Sequence, residues 1–418
     1  MSEVRRPYSI TLLGATGFTG RLVAEYLYEA YPPGSEAGAL HPISSQVTHG
    51  ITWAIAGRSA DKLADTKREL GLHGIDTVVA DSRDAASLLK MCDASEVVVS
   101  TVGPYALYGS ALVAACVEAG TDYCDLSGEV PWMRRMIERH HQAARERGVR
   151  IVHSCGFDSI PSDIGVLHHQ RLARERLGEF CESVEMVVAA AKGGFSGGTF
   201  ASLNNVLAEA SASDKVASVL LDPYSLNLPA PDGTCANAND QRDARFSESF
   251  QTYTAPFVMA GINTRIVRRS VALAGFPYGR DFCYSEAVAT GPALGGKVTA
   301  AVTALGIGVF GSAGVVGETL RGLAPKPGAG PSREEREAGF FKLKFFGRTP
   351  SGKTLRTWVK GKRDPGYGCT SRMLAESAVA LAQTRGGNRD GGVLTPALAI
   401  GEELLERLPA RAGVTFGS

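Results

Sequence analysis

Up to about residue 160, short apolar runs rich in β-branched residues alternate with amphipathic stretches of helical period. The pattern predicts strands at Tyr8–Leu13 and at 51–56, 76–80, 96–102, 121–126 and 150–153, with helices near 18–30, 60–70, 84–92, 106–119 and 130–147 between them. Strands that are apolar throughout, each followed by a helix, require a parallel sheet covered on both faces. The expected fold is α/β: an N-terminal doubly wound parallel sheet of Rossmann type over 1–160. Beyond 160 the strands lengthen (183–191, 263–273, 280–289) and helices thin out, which predicts a second, mixed α+β domain over 161–370. A Pro/Gly linker at 324–333 precedes FFKLKFFG and TLRTWVKG, which read as a hairpin. Two helices, 370–383 and 395–407, close the chain, so 371–418 is expected as a C-terminal helical unit able to pack back on the first domain. The Pro-, Gly-, Ser- and His-rich stretch 32–50 reads as a surface insertion.

The chain has 418 residues, and 44% of them are hydrophobic, which excludes a disordered chain. With 44 Lys+Arg against 43 Asp+Glu there is no global basic field, so no nucleic-acid partner is expected. The eight cysteines never come closer than eight positions, so no CxxC chelate exists, no metal is expected, and all eight read as reduced, mostly buried thiols. The N-terminus lacks a signal-peptide core, and a cytoplasmic location is expected. One segment complicates this. Residues 298–317 carry no charge and place Gly308, Gly311, Gly314 and Gly317 every third residue. They read either as a buried, close-packed helix or as one facing a membrane or lipid surface.

Glycine is abundant, at 49 residues, and its position carries the chemistry. The first strand runs into Gly14-Ala15-Thr16-Gly17-Phe18-Thr19-Gly20 and then a helix, the context in which a glycine-rich turn cradles a dinucleotide. Gly14 makes the tight turn, Gly17 admits a pyrophosphate to the backbone, and Gly20 lets the helix approach the strand. Ala15, Thr16, Phe18 and Thr19 line the same turn. The second strand ends not on a carboxylate but on Gly57-Arg58-Ser59, with Lys62 close behind. That set suits a 2′-phosphate, so the expected cofactor is NADP(H). Asp81, after the third strand, either accepts from the adenine amino group or caps the next helix. Thr101, Val102, Gly103 and Pro104 follow the fourth strand, at the nicotinamide end. Tyr105 and Tyr108 come next, either beside the ring or simply half-buried.

Two further motifs end strands at the same sheet edge: Tyr123-Cys-Asp125-Leu-Ser127-Gly-Glu129, and Cys155-Gly-Phe-Asp158-Ser159-Ile-Pro161-Ser-Asp163. Asp158 or Ser159 can cap the helix that holds Pro161 in its first turn. With GATGFTG, AGRS, STVGPY, the glycine turn Gly193 to Thr199, and Asp364-Pro-Gly-Tyr367 before Met373-Leu-Ala-Glu376-Ser377, these motifs resemble the saccharopine dehydrogenase-like oxidoreductases. More narrowly they resemble the trans-acting enoyl reductase group. The resemblance runs over nearly the whole chain. It implies an NADP(H)-binding Rossmann domain and reduction of a carbon–carbon double bond on an acyl or polyketide substrate, on a thioester or an acyl carrier protein. It also implies membrane or lipid association; an oligomer is possible.

All eight histidines lie at or before His169, so proton transfer in the second domain falls to other groups. The candidates for catalysis are Tyr105, Tyr108 and Asp158, with the backbone N–H groups of the 193–199 turn to polarise a carbonyl. Lys192, just before that turn, reads as a solvated charge, and Cys155 as a core thiol. Two alternatives stay open: a saccharopine-type amino-acid dehydrogenase, and a non-catalytic NADP-binding protein associated with lipid.

Overall fold

In the computed structural model, residues 6–34, 50–193, 197–228, 235–236, 238–310, 330–385 and 390–418 are described. The first half builds β1 (Tyr8–Leu13), α1 (Phe18–Ala30), β2 (Trp53–Gly57), α2 (Ala60–Glu69), β3 (Asp76–Val79), α3 (Ala85–Asp93), β4 (Ser95–Ser100), the single turn α4 (Tyr105–Tyr108), α5 (Ser110–Ala119), β5 (Asp122–Asp125), α6 (Val130–Glu146) and β6 (Arg150–Val152). These six strands lie parallel in the order β6-β5-β4-β1-β2-β3. This is the doubly wound dinucleotide-binding order, with its switch point between β1 and β4. Val97, Val98 and Val99 are all buried, as a strand covered on both faces requires.

The second half contains α7 (Ile160–Leu177), β7 (Ser183–Lys192), α8 (Gly197–Ala212), α9 (Asp214–Leu221), β8 (Arg245–Ser247), β9 (Thr252–Pro256), α10 (Ala260–Leu273), β10 (Cys283–Gly291), α11 (Leu294–Phe310), α12 (Arg333–Glu337), β11 (Phe340–Arg348), β12 (Thr354–Gly361), α13 (Thr370–Gln383), β13 (Gly392–Leu394), α14 (Pro396–Arg407) and β14 (Val414–Gly417). A second seven-stranded sheet runs β14-β12-β11-β7-β10-β9-β8 and is antiparallel except for β7 and β10. Its hairpin β11–β12 is the one read from FFKLKFFG and TLRTWVKG.

The chain end returns to the first sheet. β13 pairs in parallel with β6. α13 packs on β1, β4, β5 and α1, and its residues from Met373 to Leu381 are all buried. Glu376 on this helix accepts hydrogen bonds from Tyr26 (2.5 Å) and Tyr31 (2.9 Å) of α1. Arg407 of α14 closes the network at 2.8 Å. Apolar packing and one buried charged cluster therefore hold the C-terminal helices to the Rossmann sheet.

Three expectations need correction. Residues 263–273 form the helix α10, not a strand: Ile262 with Ile266, and Val267 with Val271, are i,i+4 pairs that pack into two separate core clusters on different sides of the helix. The intervening Arg265, Arg268 and Arg269 are buried by bonding carbonyls and Asp240, which masks that period in the sequence. Not all cysteines are reduced: Cys235 and Cys283 form a disulfide across 48 residues, a pairing made by the fold, while the other six are free and buried. Finally, α11 is not a buried helix. Leu294, Val298, Val302 and Leu305 are 75, 56, 64 and 69% exposed. No described helix is long and apolar enough to cross a membrane. Gly311, Gly314 and Gly317, like most of the 32–50 insertion, lie outside the described residues.

Candidate cofactor and active site

The site starts where β1 ends. The Gly14 N–H donates to the Ala56 carbonyl (3.0 Å), and Gly14 takes a left-handed φ of 92°. A Cβ here would stand 2.6 Å from Thr101 Oγ1 and 2.8 Å from Val102 Cγ2. Thr101 in turn donates its hydroxyl to the carbonyls of Leu13 (3.3 Å) and Gly14 (3.2 Å). The loops after β1 and β4 are thereby joined at the switch point. Gly20 is more constrained still, since its Cβ would lie 2.1 Å from the Gly14 oxygen. Gly17, the N-cap of α1, is exposed, extended and makes no side-chain cap, so the first-turn N–H groups of Phe18, Thr19 and Gly20 are left for an anion. Ala15 is buried beneath this turn and Thr16 sits beside Gly57. These residues fit a pyrophosphate.

At the end of β2, Arg58 and Lys62 are exposed, with no carboxylate partner among the described residues. Ser59 caps α2 by accepting from the Lys62 N–H at 3.4 Å, which leaves its hydroxyl proton free to donate. The three fit a 2′-phosphate. Asp81 accepts from the Arg83 N–H (3.0 Å), whereas the cap of α3 is Asp84, not Asp81. Tyr108 is half-buried, with its ring under the Arg83 guanidinium, 5.5 Å from the centroid, on the side of the loop after β3.

The opposite end is built by β4, β5 and β6. Gly103–Pro104 is a cis peptide, and the short helix after it is capped from outside. Buried Glu129 accepts from the N–H groups of Tyr105 (2.7 Å) and Ala106 (2.9 Å), and from Ser202 Oγ of α8 (2.7 Å). Burial pushes this carboxyl up, and its three donors pull it back. Tyr105 is buried against Trp132, with ring centroids 5.5 Å apart, and its hydroxyl donates to the Ser100 carbonyl (3.0 Å). Tyr105 is therefore a buried tie between β4 and β5 rather than a proton donor facing the ring. Asp125 is likewise committed, to Tyr123 (2.9 Å), His153 (2.8 Å) and two backbone N–H groups.

Asp158 differs from these. Its carboxyl bonds no described residue and faces Gly128, with Oδ2 3.9 Å from where a Cβ would be. Desolvation alone pushes it up to about 7. Its turn is fixed on both sides. The Phe157 N–H donates to Thr370 Oγ1 (3.0 Å), and Ser159 Oγ donates to Asn263 Oδ1 (3.1 Å) and accepts no helix N–H as a cap. Asn263 then donates to Glu286 (2.9 Å), which also accepts from Tyr284 (2.7 Å). Cys155 is a fully buried thiol bonded to the Val152 carbonyl.

The second-domain motifs close over this edge. Gly193 at the end of β7 presses on Asp364-Pro365, where a Cβ would lie 2.7 Å from Pro365 Cδ. Asp364 holds the turn by accepting from Tyr367 (2.9 Å) and Gly368 (2.7 Å), and Tyr367 stands edge-on to Phe18 at 4.7 Å. Residues 194–196 of the glycine turn lie outside the described set. The motifs quoted separately from the sequence thus meet around one cleft. Glu129, Ser202, Asn263, Glu286 and Thr370 were missed. Glu129 ends a quoted motif, but Asn263 and Glu286 carried no signal, because the first was assigned to a strand.

The model of the saccharopine dehydrogenase NADP-binding domain family matches residues 37–152. An apo saccharopine dehydrogenase (L-Glu forming) from Saccharomyces cerevisiae shares the fold over 98% of both chains, at a TM-score of 0.53 and 10% identity. Domain and cleft together define an NADP-dependent oxidoreductase. A Mycobacterium tuberculosis protein named as a trans-acting enoyl reductase is 41% identical over 433 positions, covering 100% of this chain and 98% of its own. The trans-acting enoyl reductases of Mycobacterium bovis and Mycobacterium leprae are each 36% identical, covering 100% of this chain and 99% of their own. The chain belongs to the trans-acting enoyl reductase family.

Proposed function

We propose that this protein uses NADPH to reduce the carbon–carbon double bond of an enoyl thioester on an acyl or polyketide chain, with Asp158 as the proton donor. NADPH, when bound, supplies the hydride. The residues of the chain divide the remaining work. Gly14 to Gly20 hold the pyrophosphate, and Arg58, Ser59 and Lys62 select the 2′-phosphate. Thr101 to Pro104, braced by Glu129, shape the nicotinamide end. Asp158 delivers a proton to the enolate that hydride addition leaves on the substrate.

The observation that carries the reading is the carboxyl of Asp158. It is unpartnered among described residues, borders the 126–129 loop, and is pushed up to about 7 by burial, where an acid can both hold and release a proton at neutral pH. The names of the full-length relatives point the same way. NADPH oxidation is measured with trans-2-enoyl thioesters and, in parallel, with saccharopine. Turnover of the thioesters alone is expected; turnover of saccharopine alone would replace this reading with an amino-acid dehydrogenase, and silence with both would leave a non-catalytic binder. The exposed apolar stripe of α11 supports peripheral contact with lipid at the same time. Flotation with liposomes tests that point, and a protein that stays at the bottom of the gradient refutes it.

A further inference from the structure

The outer face of the second sheet is a cationic surface that the reaction does not use. Directly paired residues in antiparallel strands project to the same side, so the register assigns this face. Lys342 pairs with Lys360, Lys344 with Trp358, and Phe346 with Arg356 across β11 and β12. On the other side of β11, Phe340 pairs with Lys192 and Phe346 with Glu185 of β7. Four lysines and two arginines, Arg356 and Arg348, thus share this face of the three strands with a single carboxylate, and Glu185 is engaged by Ser249 at 2.7 Å. Lys192, Lys344 and Arg356 are exposed, and Lys342 and Lys360 half-exposed.

None of the four lysines has a carboxylate partner among the described residues. Lys360 instead lies over the Trp358 ring at 3.8 Å, and Arg356 over Phe346 at 4.7 Å. The opposite face of these strands buries Leu343, Phe345, Val359 and Leu355 against α7. At its Glu185 end this side is met by the turn at Ser249 and Phe250, where Arg356 donates to the Ser249 carbonyl (2.7 Å) and Phe250 stands edge-on to Phe346, while the four lysines stay at least half-exposed. In a chain whose formal net charge is +1, this is a strong local concentration of one sign.

The face is also continuous with the cleft. Lys192 is the last residue of β7. The next residue, Gly193, contacts the Asp364-Pro365 turn, and α8, which follows, sets Ser202 on Glu129 at the nicotinamide end. We infer that Lys192, Lys342, Lys344, Arg356 and Lys360 form the docking surface for an acidic protein domain that carries the enoyl chain and presents it to the cleft at the Lys192 end. The inference rests on the proposed enoyl thioester substrate. Charge complementarity favours an acidic protein over a bilayer here: cations outnumber the apolar side chains Phe340, Phe346 and Trp358 on this face, and the exposed apolar stripe that would enter lipid lies on α11, which packs at the β8–β10 end of the sheet.

The test compares one enoyl chain in two forms, on a purified acidic acyl carrier domain and as an uncharged N-acetylcysteamine thioester. The triple charge reversal Lys342→Glu, Lys344→Glu, Lys360→Glu is expected to raise KM for the carrier-bound chain by about tenfold or more, and to leave kcat/KM for the small thioester within about twofold. Should that variant fold poorly, the wild type gives the same answer: from about 50 to about 300 mM NaCl, kcat/KM for the carrier-bound form should fall by about tenfold while the small thioester is unaffected. Equal behaviour of the two substrates in both experiments overturns the docking surface. So does loss of flotation with anionic vesicles by the charge-reversed protein while its carrier kinetics stay intact, which would make the face a lipid contact. Failure of the wild type to reduce either form would instead overturn the enoyl reductase reading itself.

Discussion

Replacing Gly20 by Ala tests how the cofactor loop is built. The new methyl carbon would stand 2.1 Å from the Gly14 oxygen, 2.7 Å from its carbonyl carbon and 2.9 Å from Ala15 Cα. All three are backbone atoms in a loop held by Ala56 and Thr101, so no side chain can swing aside. Ordinary contact returns only if the start of α1 moves from the loop by about 1 Å, an overpacking that costs about 1–3 kcal/mol. The better helix propensity of Ala gives back about 1 kcal/mol, leaving a net loss of up to about 2 kcal/mol. The same displacement moves the first-turn amides off the pyrophosphate, so the NADPH Kd should rise by about tenfold or more. Thermal melts and fluorescence titration with NADPH read the two effects. Gly17→Ala is the control: φ is −81° and the added carbon would meet only the Gly14 oxygen, at 3.4 Å, so Tm should hold while NADPH binding weakens. A Gly20→Ala protein with wild-type Tm and wild-type Kd would refute the argument.

Three other perturbations address separate parts of the account. Arg58→Ala should weaken NADPH binding by about 10- to 100-fold, the value of a charge-assisted hydrogen bond to phosphate, and leave NADH nearly unchanged; an equal loss for both would remove Arg58 from the 2′-phosphate site. Glu376→Ala strips the acceptor from Tyr26 and Tyr31 and leaves Arg407 buried without its carboxylate, so urea denaturation should show a loss of about 3–5 kcal/mol. The pH dependence of stability follows from Asp163 and Glu286, whose buried carboxyls are both pushed up to about 7 by desolvation. The native state then holds more protons than the unfolded chain between about pH 4 and 7, so stability is greatest at the acid end and is lost as pH rises through 7. A Tm that rises steadily from pH 5 to 8 would contradict that sign.

Where apolar period and element coincide, the sequence was legible. The run Ser-Glu-Val-Val-Val-Ser of β4 and the glycines at 14, 17 and 20 each have one physical explanation, and the order of motifs located the cleft. The misreadings share a cause in groups whose partners are distant. Arg265, Arg268 and Arg269 broke the apolar period of α10 because they are buried against Asp240 and against backbone carbonyls of segments outside the helix. Tyr105 and Asp158 looked alike as acids beside a sheet edge, yet only the fold shows that the Tyr105 hydroxyl is taken by Ser100 while Asp158 is left without a described partner. The Cys235–Cys283 bond likewise joins residues that no local spacing relates. Glu129 ends a legible motif, but its role as a cap is hidden in the sequence, since its three donors come from α4 and α8.

The central claim is that Asp158 supplies the proton in an NADPH-dependent reduction. The most direct measurement is the pH profile of kcat for an enoyl thioester in the wild type and in Asp158→Asn, with NADPH affinity determined alongside. The account predicts a wild-type kcat that falls as pH rises through about 7, and an Asn variant slower by about 10²- to 10⁴-fold, without that titration and with unchanged NADPH binding. An Asn variant that retains wild-type turnover and the same pH profile would contradict it.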